Sequence, residues 1–129
     1  MPKTPAISDA EWDVMQALWD ESPLTANDVV ERVAEKKGWN PRTVKTLLNR
    51  LVKKGALGFE AEGKRYRYRP RVTREECVRR ESRSFLSRVF GGAAGPMLAQ
   101  FVREAPLTPD EIRQLREILD RRQQKGKQP

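Results

Sequence analysis

The stretch NPRTVKTLLNRLVKKG, running from Asn40 to Gly55, decides the reading of this chain. Asn40 is a residue type that caps helix N-termini, and Pro41 suits the first helical position because the N–H it lacks would have had no partner there. Gly55, following Lys53 and Lys54, is an equally clear stop. The spacing therefore predicts a helix over 41–54. At 100° per residue Val44, Leu47, Leu48 and Leu51 share one face, which must be the buried one. The opposite face then carries Arg42, Thr46, Asn49 and Lys53, flanked by Thr43, Lys45 and Arg50, and the helix contains no carboxylate. A merely solvated face usually holds some acid, whereas this one holds the groups that match nucleic acid. Arg and Lys suit guanine, Asn suits adenine, and Thr suits hydroxyl contacts or a thymine methyl. Recognition helices enter the major groove by their N-terminal end, which assigns Arg42, Thr43, Lys45 and Thr46 to base edges. Asn49, Arg50 and Lys53 then meet phosphates or groove edges.

Towards the N-terminus, Ser8 with Glu11 forms a capping box ahead of Trp12, Met15, Leu18 and Trp19, which predicts a helix over 9–20. Thr25 with Asp28 opens a second over 26–37, closed by Lys36, Lys37 and Gly38. Beyond Gly55, Leu57–Ala61 and Tyr66–Arg69 alternate on either side of Glu62-Gly63-Lys64-Arg65, a β-hairpin pattern that Pro70 ends. Three helices followed by a basic hairpin is the order of a winged helix-turn-helix DNA-binding domain, here 1–72. Lys64, Arg65 and Arg67, with Arg69, place positive charge on the wing for a phosphate backbone or a neighbouring minor groove. Tyr66 and Tyr68, alternating with them, are expected on the packed face of the wing. Trp12, Trp19 and Trp39 suit core packing better than a ligand pocket.

The rest of the chain, 73–129, reads as three amphipathic helices. Thr73 and Glu76 cap a helix over 74–90 whose apolar side is Val78, Phe85, Leu86 and Val89. Gly91-Gly92-Ala-Ala-Gly95 reads as a flexible connection, and Pro96 opens a short segment with Met97, Leu98, Phe101 and Val102. Thr108-Pro109-Asp110-Glu111 then starts a helix bearing Ile112, Leu115, Ile118 and Leu119, with the tail from Arg121 expected to fray. Three such helices without a strand bury little of one another, so a second copy is their natural partner. The expected dimerisation residues are Val78, Phe85, Leu86, Val89, Leu98, Phe101, Ile112, Leu115 and Leu119. The competing arrangement is a monomer in which these helices fold back on 1–72. The fold class is mostly α with a small β-hairpin: a winged helix-turn-helix domain plus a C-terminal helical dimerisation region.

Composition narrows the function. The 129 residues hold 26 Lys plus Arg against 18 Asp plus Glu, a net charge of +8, with no histidine and one cysteine. His-based catalytic triads, zinc fingers and an intrachain disulfide are thereby excluded, and neither a metal site nor a cofactor is expected. No run reaches the ~18 apolar residues of a membrane span, and the start lacks the apolar core of a signal peptide, so a cytoplasmic protein without membrane insertion is expected. Residues 38–72 alone carry ten Lys or Arg against Glu60 and Glu62, whereas 1–37 are net acidic. That concentration favours a polyanion-facing surface. An enzyme would have to rely on carboxylates, Lys or Tyr, and no such constellation stands out. A winged-helix module binding an acidic protein is the alternative, and it predicts no preference among DNA sequences. Duplex RNA fits poorly, because its narrow major groove excludes a helix. Cys77 reads as a small packed side chain, a redox pair across a dimer axis being the other option.

Ile7-Ser-Asp-Ala-Glu-Trp12-Asp-Val-Met15-Gln-Ala-Leu-Trp19, together with Trp39-Asn-Pro41 through Gly55, closely resembles the penicillinase repressor family, the BlaI/MecI/CopY-type transcriptional regulators. The likeness continues through Tyr66-Arg-Tyr68, Phe85 with Gly91-Gly92, and Leu107 to Leu119. It implies a homodimeric winged-helix repressor on the operator dyad of a promoter, commonly one controlling β-lactam resistance genes. Members of the β-lactam branch are inactivated by cleavage before a Phe in the dimerisation region, downstream of a membrane-bound sensor metalloprotease. That position matches Gln100-Phe101, where Gln100 stands in place of the family's usual Asn. Copper-responsive members carry Cys-x-Cys pairs near the C-terminus, and Arg121 to Pro129 holds none, which disfavours copper sensing.

Overall fold

In the computed structural model, which describes residues 4–127, each of the first three helices begins where a side chain takes over an orphan backbone donor. Helix α1 (Asp9–Asp20) has the reciprocal Ser8/Glu11 box, α2 (Ala26–Lys37) the Thr25/Asp28 box, and α3 (Pro41–Lys54) the Asn40 cap. Gly38 and Gly55 end α2 and α3 at φ +67° and +84°, left-handed conformations that a Cβ would oppose. The apolar stripes of these helices close on one another. Val14, Met15, Leu18, Val29, Val44, Leu48 and Leu51 are fully excluded from solvent, and Leu47 nearly so. At about 1.5–3 kcal/mol for each such side chain, this interior dominates the stability of the unit.

The wing is a hairpin of β2 (Leu57–Glu62) and β3 (Arg65–Pro70), with Leu57 opposite Pro70 and Glu62 opposite Arg65. Glu62 and Arg65 thus belong to the ladder, and the turn shrinks from the four residues expected to Gly63 and Lys64, with Gly63 at φ +63°. A third strand, β1 (Leu24–Thr25), pairs antiparallel with β3 through Leu24–Tyr68 and Thr25–Arg67 to give the order β1-β3-β2. Two residues are too few to show alternation, which is why sequence periodicity missed it. The strand ties the entry of α2 to the wing.

Helix α4 (Arg74–Phe90) begins at the expected Thr73/Glu76 box. Cys77 is fully buried in the winged core, Arg74 Nε donates to Gln16 Oε1 at 3.2 Å, and Trp19 Nε1 donates to the Val72 carbonyl at 3.0 Å. These contacts carry the first compact unit past the expected boundary at 72/73 to Phe85, within α4, and a second unit runs from Leu86 onward.

The second unit comprises the end of α4, α5 (Ala94–Glu104) and α6 (Pro109–Lys127). Gly91 and Gly92, at φ +57° and +88°, turn the chain out of α4. Ala94 and Gly95, expected in the connection, are already helical. Pro96 is the third residue of α5, where its missing N–H leaves no helical bond unmade. Thr108 and Glu111 form the anticipated capping box. The expected fraying from Arg121 does not occur: the segment is rich in Arg, Gln and Lys, all good helix formers, and α6 continues to Lys127. The last two residues of that tail and the first three of the chain lie outside the described residues. No described residue from Leu86 onward is buried.

Candidate nucleic-acid interface

Burying Val44, Leu47, Leu48 and Leu51 turns the rest of α3 outward, and Arg42, Thr43, Lys45, Thr46, Asn49, Arg50 and Lys53 are all exposed. The two threonines have committed donors. The Thr43 amide and hydroxyl donate to Asn40 Oδ1 at 2.9 and 3.1 Å, and the Thr46 hydroxyl donates to the Arg42 carbonyl at 2.9 Å. Their methyls and hydroxyl lone pairs remain for a groove, as acceptors and apolar contacts. Lys54 belongs to the scaffold instead, since its Nζ donates to Glu11 Oε1 at 2.5 Å and to the Ala6 carbonyl at 3.0 Å. Glu11 is 1% exposed. Its burial pushes the carboxyl pKa up, but the bonds from Lys54 and Ser8 outweigh this and hold it below the ordinary range.

The wing cations divide. Lys64 and Arg65 line a cleft of about 310 Å³ together with Lys45 and Asn49 of α3, the first turn of α2, and Tyr66. Arg67 is not in that lining. It lies opposite Glu60 in the ladder, two residues further from the turn than Arg65, and its Nε is ion-paired with Glu62. The pair is exposed on both sides and therefore weak.

The wing tyrosines also part company. Tyr68 packs into the core at 7% exposure, and burial, reinforced by Tyr66, raises its phenol pKa. Tyr66, expected to be packed as well, is 50% exposed and leans on Phe59 with ring centroids 4.7 Å apart. It lies one step nearer the hairpin tip, beyond the two residues, Tyr68 and Arg67, that pair with β1. Tyr66 and Asn27 at the cleft were missed as site residues, because only the fold shows that they flank α3. The tryptophans pack as expected: Trp12 and Trp19 meet edge to face at 5.2 Å, and Trp39 is partly buried against the core.

In the second unit the expected contact residues are largely on the surface. Val89, Leu98, Phe101, Ile112, Leu115 and Leu119 are all exposed, as are Val102 and Ile118, while Leu86 is half-buried. In the first unit Val78 is exposed and Phe85 half-buried. Gln100 and Phe101 lie inside α5, where Gln100 Nε2 donates to Glu104 Oε1 at 2.6 Å. Among the described residues no three His, Cys, Asp or Glu side chains cluster as metal ligands, and no helix is long and apolar enough to cross a membrane.

The sequence profile of the penicillinase repressor family matches residues 7–121. The chain belongs to the penicillinase repressor family. It is 35% identical over 128 residues to the penicillinase repressor of Bacillus licheniformis, covering 99% of this chain and 100% of that one. It is 34% identical over 120 residues to the methicillin resistance regulatory protein MecI of Staphylococcus aureus, covering 93% and 98%. Among solved structures, the DNA-binding domain of the repressor BlaI aligns with TM-score 0.54 at 39% identity, over 59% of this chain and 93% of that one. The monomeric form of Bacillus licheniformis BlaI, in complex with the blaP half-operator, aligns with TM-score 0.52 at 39% identity and the same coverage. The winged helix-turn-helix of this family member is therefore the fold expected from the sequence.

Proposed function

We propose that this family member is a sequence-specific DNA-binding transcriptional repressor that acts as a homodimer on a promoter dyad. The observation that carries the reading is the outward side of α3, seven exposed polar or cationic residues without a carboxylate, continuous with a cation-lined cleft at the wing. The half-operator complex of a relative supports it. Two copies of α3 would enter successive major grooves, so half-sites lie about one helical turn, ~10 base pairs, or a multiple apart. Phosphate contacts supply most of the affinity and α3 most of the sequence preference.

The exposed apolar residues of α5 and α6 supply the contact between the two copies. Dimerisation makes the second half-site an intramolecular binding event, so separating the subunits removes most of the operator affinity. Induction follows the same logic: proteolysis at Gln100-Phe101 by a membrane-bound sensor metalloprotease, or any other loosening of this region, releases the promoter. That bond is helical here, so cleavage requires α5 to open locally first. The names of the relatives suggest that the regulated genes confer β-lactam resistance.

Fluorescence anisotropy against the upstream promoter and a scrambled duplex of equal length, at two salt concentrations, tests the reading. Tighter promoter binding that weakens with salt yet keeps its preference is the expected result. Equal, purely salt-dependent affinity for both duplexes would instead favour a protein-binding role for the winged unit.

A further inference from the structure

The cleft at the wing has a character that neither wall has alone. Asn27 of α2, Lys45 and Asn49 of α3, and Lys64, Arg65 and Tyr66 of the wing meet around about 310 Å³. Three cations from two distant parts of the chain are thus brought to one concavity whose lining contains no carboxylate. Of the nearby acids, Asp28 is turned to the α2 cap, accepting from the Thr25 amide at 3.1 Å, and Glu62, opposite Arg65 in the ladder, is ion-paired with Arg67. Concave walls of one sign focus potential and favour a counter-charge between them. Tyr66 adds a hydroxyl on an exposed ring steadied by Phe59.

Position decides which anion fits. A helix lying in a major groove about 12 Å wide is bordered on each side by a strand. A wing standing beside that helix leaves one route for the bordering strand, which is the cleft between them. A phosphodiester offers two unbridged oxygens to several donors, as this lining requires.

We propose that this cleft clamps one backbone phosphodiester of the operator. Lys45 and Asn49 then grip phosphate from the helix side while Lys64 and Arg65 grip it from the wing. Asn27 and Tyr66 join the interface as hydrogen-bonding residues, and the base edges are left to Arg42 and its neighbours. The clamp rests on the DNA-binding reading, but it changes the role of Lys45 from reading sequence to fixing register.

The test uses the full chain and fluorescence anisotropy, with the promoter and scrambled duplexes at several salt concentrations. Lys45 is exposed, so Lys45→Gln should keep the wild-type melting temperature. It should weaken both duplexes by a similar factor, about threefold or more, leave their ratio unchanged, and make the salt slope shallower by about 0.9. Tyr66→Phe should likewise weaken both duplexes equally. Neutral methylphosphonates placed one at a time along the promoter should weaken wild-type binding at one position beside each half-site. The same replacement should have a clearly smaller effect in Lys45→Gln and in Lys64→Gln, because each variant has already lost one of the cations facing that phosphate. A promoter-to-scrambled ratio that shifts in Lys45→Gln, or a sensitive phosphate equally felt by variant and wild type, overturns the clamp while leaving the repressor intact. A wild-type protein that binds neither duplex overturns both.

Discussion

Replacing Lys54 by Met probes the contact that pins the end of α3 to the start of α1. Glu11 is 1% exposed, and its Oε1 accepts from Lys54 Nζ at 2.5 Å and from the Ser8 amide at 2.9 Å. Its Oε2 is buried without a hydrogen-bond partner. The carboxylate therefore depends on Lys54 for its counter-charge, and Met removes that charge while keeping most of the side-chain bulk. Stranding one member of a buried pair costs about 3–5 kcal/mol. The Lys54 side chain is 36% exposed, so water can compensate in part and the cost falls to about 2–3 kcal/mol. For a unit of this size the melting temperature should drop by roughly 10–20 °C, which calorimetry at pH 7 would read. The pH dependence distinguishes charge from packing. In the wild type the carboxyl pKa is lowered, so its contribution is present above the unfolded pKa and is lost as pH falls through the folded one. In the variant the lowering by Lys54 is lost while burial and the Ser8 bonds remain, so the carboxyl pKa rises and the deficit relative to wild type should shrink as the carboxyl protonates on acidification. Glu11→Gln added to Lys54→Met should restore much of the loss, since the amide can still accept from Ser8 without a charge to desolvate. A variant melting within about 2 °C of wild type at pH 7, or a deficit that does not change with pH, would refute the reasoning.

Other substitutions address separate parts of the argument. Asn40→Ala removes the acceptor at the start of α3 and should cost about 1 kcal/mol in urea unfolding, with no change in m-value. Leu48→Ala opens a cavity at the centre of the first unit, where Leu48 is fully buried, and should cost about 2–5 kcal/mol in the same assay. Cys77 is fully buried and its thiol pKa is raised, chiefly by burial, so a thiol reagent should label it in urea and only very slowly in the native protein. Rapid native labelling would show that the start of α4 leaves the core. Ile112→Glu with Leu115→Glu should convert a dimer to a monomer in sedimentation equilibrium, and an unchanged mass would remove α6 from the proposed contact.

The local chemistry of this chain was legible in its letters, because helix limits depend on residues within one turn of each end. Ser8 with Glu11, Thr25 with Asp28, and Asn40 with Pro41 place three starts correctly, and Gly38 and Gly55 place two stops. The carboxylate-free side of α3 was visible for the same reason, since the 3.6-residue period makes the outward face a consequence of the buried one. The family likeness was equally plain. Features built from pairs distant in sequence were not. The two-residue β1 exists only because β3 offers it an edge, and α5 starts before Pro96 because the backbone, not a capping side chain, begins it. Tyr66 and Tyr68 have the same identity and parity, yet one is buried and the other open, because coverage by neighbouring elements ends between them. Arg67 and Lys64 are equivalent cations in the sequence, but a diagonal ion pair across the hairpin gives one to Glu62, and the turn leaves the other at the cleft. Periodicity specifies which residues of an element share a side; only packing decides what that side meets.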